Sequence, residues 1–204
     1  MTKIKLTYFN HSNGRGEVAR LAMAVAELPF EDQCIAMADW PALKVEMPFR
    51  AIPVLEVDGG VISQSNAINR LIGRLTQLYP EDPWQAALCD EVMDAVEDIL
   101  SKIVATFFIP GDEEKKKARE SLVNGLIPVF LTRLQAYLEA RGGEYFADSR
   151  LTVADLKVFV FLRSLRSGSI EHIPEDLIDS KAPLLLQHLE HLAHHPKIVT
   201  YYGG

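Results

Sequence analysis

Two prolines in Tyr79-Pro80-Glu81-Asp82-Pro83-Trp84 mark a change of periodicity that no single layer of secondary structure can accommodate. A proline lacks a backbone N–H and clashes with a preceding helical turn, so the stretch reads as a linker. Before it, short strands alternate with helices. Residues 3–9 read as a strand with Ile4, Leu6 and Tyr8 on one face, and 15–28 as an Ala-rich helix carrying Val18, Leu21, Ala22 and Val25. A weaker strand near 31–36 and a short helical piece opened by Pro41 follow. Val54–Val57 and Gly60–Ser63 flank Asp58-Gly59, a pair suited to the positive φ angles of a tight hairpin, and Ser65–Leu78 reads as a helix. Beyond the linker the pattern is all helical: 85–108 up to Pro110-Gly111, 113–140 with a bend at Pro128 and a stop at Gly142-Gly143, an apolar helix after Leu151, and 183–195. The expectation is an α/β domain over 1–79, a linker over 80–85 and an all-α domain over 86–204.

Charge narrows the partners. A net −7 argues against a general affinity for nucleic acid or anionic lipid, either of which needs a basic face. No run reaches the roughly 18 apolar residues of a membrane helix and the start lacks a signal-peptide core, so a cytoplasmic protein is expected. Cys34 and Cys89 are far apart and form no Cys-x-x-Cys pair, so any thiol chemistry would use a thiol from the substrate.

Several groups invite a chemical reading beside a plain one. Tyr8 ends the first strand and faces a turn, His11-Ser12-Asn13-Gly14, and a helix start at Arg15; a phenol there could aim at a ligand, or be a buried strand aromatic. Trp40 and Lys44 are four apart, on one face of a helix. Gln64-Ser65 stands where a strand gives way to a helix, so Ser65 could cap that helix or hold an anion. Asp94, Glu97 and Asp98 share a helix face, ordinarily a solvated one. Thr152 and Asp155 fit a capping box between Leu151 and Leu156, which explains Asp155 without catalysis. His188, His191, His194 and His195 lack an acidic or cysteine ligand at metal spacing and read as surface or packing residues.

Leu6-Thr7-Tyr8-Phe9-Asn10, Ala38-Asp39-Trp40-Pro41, the stretch Ile52 to Gly59, and Gln64-Ser65-Asn66-Ala67-Ile68 together resemble the glutathione transferases, the sigma class most of all. The resemblance implies a thioredoxin-like first domain and a helical second one. It implies that glutathione is a substrate, that small hydrophobic electrophiles are conjugated to it, that the protein is a homodimer serving detoxification, and that no metal is required. Tyr8 would donate to the glutathione sulfur, with Arg15 supporting it; the family turn is one residue shorter. Trp40 and Lys44 would hold the glycine carboxylate, and the backbone of Ile52, before a cis Pro53, would pair with the cysteinyl unit. Gln64 and Ser65 would take the γ-glutamyl carboxylate, and Asp98 would reach the partner subunit's glutathione. Ala51 departs from the family, which places a polar side chain there. Phe9, Ile103, Phe107 and Phe108 are candidates for the electrophile pocket. Two alternatives within the resemblance are a glutathione-dependent prostaglandin isomerase, disfavoured because neither Trp40 nor Trp84 lies in the long helix, and a non-enzymatic carrier or S-crystallin-like structural protein.

Overall fold

A computed structural model describes residues 2–203; Met1 and Gly204, the outer limits of the two expected domains, lie outside the described residues. A four-stranded sheet has the order β2-β1-β3-β4, from β1 (Ile4–Phe9), β2 (Glu31–Ile35), β3 (Val54–Val57) and β4 (Gly60–Ser63). β1 runs parallel to β2 and antiparallel to β3, with Tyr8 opposite Cys34 and Leu6 opposite Leu55. α1 (Glu17–Val25) makes the crossover that a parallel pair requires. Ile4, Leu6 and Tyr8 are buried as their alternation predicts, and β1 buries Thr7 as well, whose hydroxyl is bonded to Gln33. Asp58 and Gly59 both take positive φ, at 48° and 86°, which closes the hairpin as expected.

Several boundaries differ from the sequence reading. α1 starts at Glu17, so Arg15 belongs to the turn rather than to the helix. α2 (Trp40–Leu43) is a single turn, and α3 (Ser65–Leu75) ends three residues before Leu78. There the Thr76 hydroxyl takes the Ile72 carbonyl at 2.7 Å and Gln77 turns to φ 59°, ending the hydrogen-bond ladder. α4 (Pro83–Ala105) begins inside the expected linker, because Asp82 accepts the N–H groups of Trp84 and Gln85 and Pro83 occupies the first position, where no N–H is needed; Trp84 therefore lies in the first turn of the long helix, contrary to the sequence reading, and is exposed there.

The expected bend at Pro128 is instead a break at Gly125, between α5 (Asp112–Asn124) and α6 (Leu126–Ala140). Pro128 then lies in the first turn of α6, where its missing N–H costs no bond. α7 (Val153–Arg166) carries the expected capping box: Asp155 accepts the Thr152 N–H at 2.8 Å and hydroxyl at 2.7 Å, and the Phe146 N–H at 2.8 Å. Its role is structural. α9 (Pro183–Ala193) was expected, whereas α8 (Leu177–Lys181) and α10 (Pro196–Tyr202) were not. α7 packs against α1, α3 and α4, so one continuous apolar core joins the sheet to the helices, and the cleft above it is bordered by both.

Candidate active site

The end of β1 and the turn after it set the corner of the cleft. Tyr8 is 6% exposed, and its oxygen accepts the Arg15 backbone N–H at 3.1 Å. Two glycines permit this approach. A Cβ on Gly14 would fall 2.7 Å from the Tyr8 hydroxyl and one on Gly16 only 2.3 Å from the ring. The long turn is held from below by Arg20, which donates to the carbonyls of Phe9 and His11 and to Asp32. Burial raises the Tyr8 pKa, and the Arg15 amide only partly offsets it. At neutral pH the phenol therefore keeps its proton. With its lone pair engaged by Arg15, it remains free to donate.

From this corner the Arg15 side chain crosses to α4. Its Nε donates to Glu97 Oε1 at 2.6 Å and its NH2 group to Ser101 at 3.1 Å. Glu97 Oε2 accepts Lys157 Nζ at 2.7 Å and the Ser65 hydroxyl at 3.3 Å. Burial would push the Glu97 carboxyl up, but Lys157 and Arg15 outweigh it and hold it below its usual value. Asn66 accepts from Lys157 and donates to the Met93 carbonyl and Asp94, while Arg70 pairs with Asp90 and Asp94. Arg15, Asn66, Arg70, Asp94, Glu97 and Ser101 border a cavity of about 490 Å³ that includes Ile52, Pro53, Gln64 and Ser65, with Lys157 behind its wall. Its floor is the start of α3. There Gln64, at φ 73° and ψ 112°, turns the chain, and the helix's first N–H groups have no intrahelical partner.

Of the residues selected from sequence, Arg15, Ile52, Pro53, Gln64 and Ser65 line this cavity, and Tyr8 is bonded to its wall. The Ile52–Pro53 bond is cis. Ser65 does not cap α3; it is the first helical residue, and its hydroxyl turns to Glu97. Trp40 and Lys44 are not among the lining residues. Trp40 opens α2 with its ring edge-on to Phe9 at 5.6 Å, and Lys44, just past the end of α2, is exposed. On α4, Asp94 and Glu97 face the cavity and the exposed Asp98 does not.

Ile103 is 1% exposed and belongs to the core, which removes it from the electrophile wall, whereas Phe107 and Phe108 are exposed. His188 is buried edge-on to Phe146 with Nδ1 on the Glu144 carbonyl, and His191 meets Tyr145, so both serve packing. A wider hollow of about 850 Å³ opens between α7, α9 and α10, but it carries none of the groups selected from sequence, so size alone does not locate the chemistry.

Sequence reading missed Lys157, Asn66 and Ser101. A signal for Lys157 was present: it is an ammonium in the run Leu156 to Leu162, which is otherwise apolar, and a buried charge demands a partner.

The sequence and fold are similar to those of known proteins. The family model described as "Glutathione S-transferase, N-terminal domain" matches residues 4–74, and "Glutathione S-transferase, C-terminal domain" matches 97–203. Glutathione S-transferase 1 of Ascaris suum is 35% identical, over 97% of this chain and 94% of that protein. The haematopoietic prostaglandin D synthase of Homo sapiens is 31% identical, over 98% of this chain and 88% of that one. The structure of the Fasciola hepatica sigma class transferase superposes with a TM-score of 0.83 at 28% identity, covering 98% of this chain and 95% of the other. The chain belongs to the glutathione S-transferase family, and its likenesses make it sigma-like within that family.

Proposed function

We propose that this transferase binds glutathione along the cleft between the sheet and α4, with the thiol at Tyr8, and attacks small hydrophobic electrophiles with the bound thiolate. The observation that carries the reading is the Tyr8 hydroxyl, protonated and fixed by the Arg15 amide at 3.1 Å at the edge of the cavity. A free thiol ionises near pKa 8.5, so few molecules are thiolate at neutral pH. A donor that favours the anion by about two units would contribute about 2.7 kcal/mol and leave most of the bound thiol ionised. Arg15 adds positive charge beside the phenol. The start of α3, with Gln64 and Ser65, suits the γ-glutamyl carboxylate; the Ile52 backbone suits the cysteinyl unit; and Trp40 with Lys44 suits the glycine end.

In this reading the protein is cytoplasmic and detoxifying, with residues 1–79 binding glutathione, 80–85 linking, and 86–204 shaping the electrophile pocket and dimer contacts. It works as a homodimer in which Asp98, turned away from its own cavity, serves the partner's glutathione. Sedimentation velocity at micromolar concentration would give a monomer if that part is wrong. Prostaglandin isomerisation is the second reading, since the synthase of Homo sapiens is 31% identical. Turnover of a chromogenic aryl halide by wild type and by Tyr8→Phe tests the main one. The expected result is retention of both on immobilised glutathione and a tenfold or greater loss of kcat in the variant; equal turnover would refute the role of Tyr8.

A further inference from the structure

Lys157 is 3% exposed, within the helix face that closes the core against the cleft. No step proposed so far uses it. Its ammonium is faced by Glu97 and Asp94 from α4, by Asn66 from α3 and by Arg15 from the first turn. One carboxylate, Glu97, is thus divided between two cations: Oε2 to Lys157 at 2.7 Å and Oε1 to Arg15 at 2.6 Å. An Arg15–Glu97 pair alone would be neutral. With Lys157 added, the Arg15–Glu97–Lys157 triad carries one net positive charge beside the backbone amide that orients Tyr8, while Asp94, the other carboxylate near the ammonium, is paired with Arg70.

We infer that Lys157 is a positioning residue for thiol activation: by holding Glu97 and taking up part of its charge, it keeps a positive field at the Tyr8–Arg15 corner where the glutathione sulfur is bound. The inference rests on the reading of Tyr8 as the sulfur's donor. The same ammonium also joins the helical half to the start of α3 through Asn66, which is anchored on the Met93 carbonyl of α4. Lys157 itself touches no reacting atom. It acts on the sulfur through Glu97 and Arg15, and low-dielectric surroundings carry such an effect further than water would.

The test is the pKa of bound glutathione, read from the ultraviolet thiolate band across a pH series on the full-length protein saturated with glutathione. Four variants are compared with wild type: Lys157→Met, Lys157→Gln, the double variant Lys157→Met with Glu97→Gln, and Tyr8→Phe. Lys157→Gln retains a donor for Glu97 and Asn66 while removing the charge, and it carries the test should Lys157→Met fail to fold. Both single variants are expected to raise the bound-thiol pKa by about 0.5–1 unit and to lower kcat near neutral pH about three- to tenfold. The double variant is expected to return towards wild type, because Arg15 is then unopposed. An unchanged thiol pKa in both single variants, wild-type behaviour of Lys157→Gln, or a double variant worse than Lys157→Met would each overturn the inference. Tyr8→Phe separates the layers: if it raises the pKa and the Lys157 variants do not, only the role of Lys157 fails, and if it raises nothing, the underlying reading fails.

Discussion

Single residues set the reactive corner, and two of them matter for what they lack. A Cβ at position 16 would lie 2.3 Å from Tyr8 Cγ and 2.8 Å from its Cβ, closer than any packing tolerates, so Gly16→Ala must displace the phenol or the turn. We expect a stability loss of about 1–3 kcal/mol and at least a tenfold fall in kcat/KM, from steady-state kinetics beside a thermal melt; retention of full activity would show that the corner tolerates movement. His188 gives a pH signature. Burial pushes its imidazole down to about 4 from 6.5, so the folded chain stays neutral there while the unfolded chain takes up a proton. Its contribution is complete above pH 6.5 and is lost as the pH falls towards 4, by about 3 kcal/mol in all. His188→Gln should therefore gain on wild type by that amount between pH 7.5 and 4 in urea unfolding, and parallel curves would contradict it. That Tyr8 and Gln64 stand at the cleft was legible because motif and position coincide; that Glu97 and not Asp98 faces it was not, since spacing places both on one helix face and only tertiary contacts decide which one turns inward.

At the scale of elements, α10 shows where sequence reading ran out. Pro196 and the short run behind it resemble a chain end, yet Tyr202 donates to Glu17 Oε1 at 3.0 Å, and Arg163, which lies over the Tyr202 ring at 4.1 Å, holds the Ser12 carbonyl. Glu17 is fully buried at the start of α1, and no local pattern could announce that a segment 185 residues away would supply the donor to its Oε1. Tyr202→Phe strands that oxygen and should cost about 1–3 kcal/mol, whereas adding Glu17→Met should recover most of the loss. A double variant as unstable as the single one would mean that ring packing, not the hydrogen bond, holds α10. The break between α5 and α6 teaches the same caution. Proline looked like the interrupter, but helix position determines its effect, and Pro128 sits where a helix tolerates it while Gly125 takes the irregular φ and ψ.

Across the whole molecule, the four strands, the all-helical second half and most helices were legible from periodicity, because burying one face of a strand or helix leaves its period in the sequence. The cleft was not, since it lies between parts distant in the chain. Residues near 8, 65, 97 and 157 meet there only after α7 has packed against α1, α3 and α4. That arrangement joins a protonated phenol, an arginine and a shared carboxylate at one end of a cavity whose other wall is the start of a helix, and it gathers local positive charge, as the proposed thiol activation requires, in a chain whose net charge is −7. The direct test is the ultraviolet titration of bound glutathione in wild type and Tyr8→Phe. The account predicts a thiol pKa about two units below the free value of about 8.5 in wild type and a return towards it in the variant; identical titrations in the two proteins would contradict it.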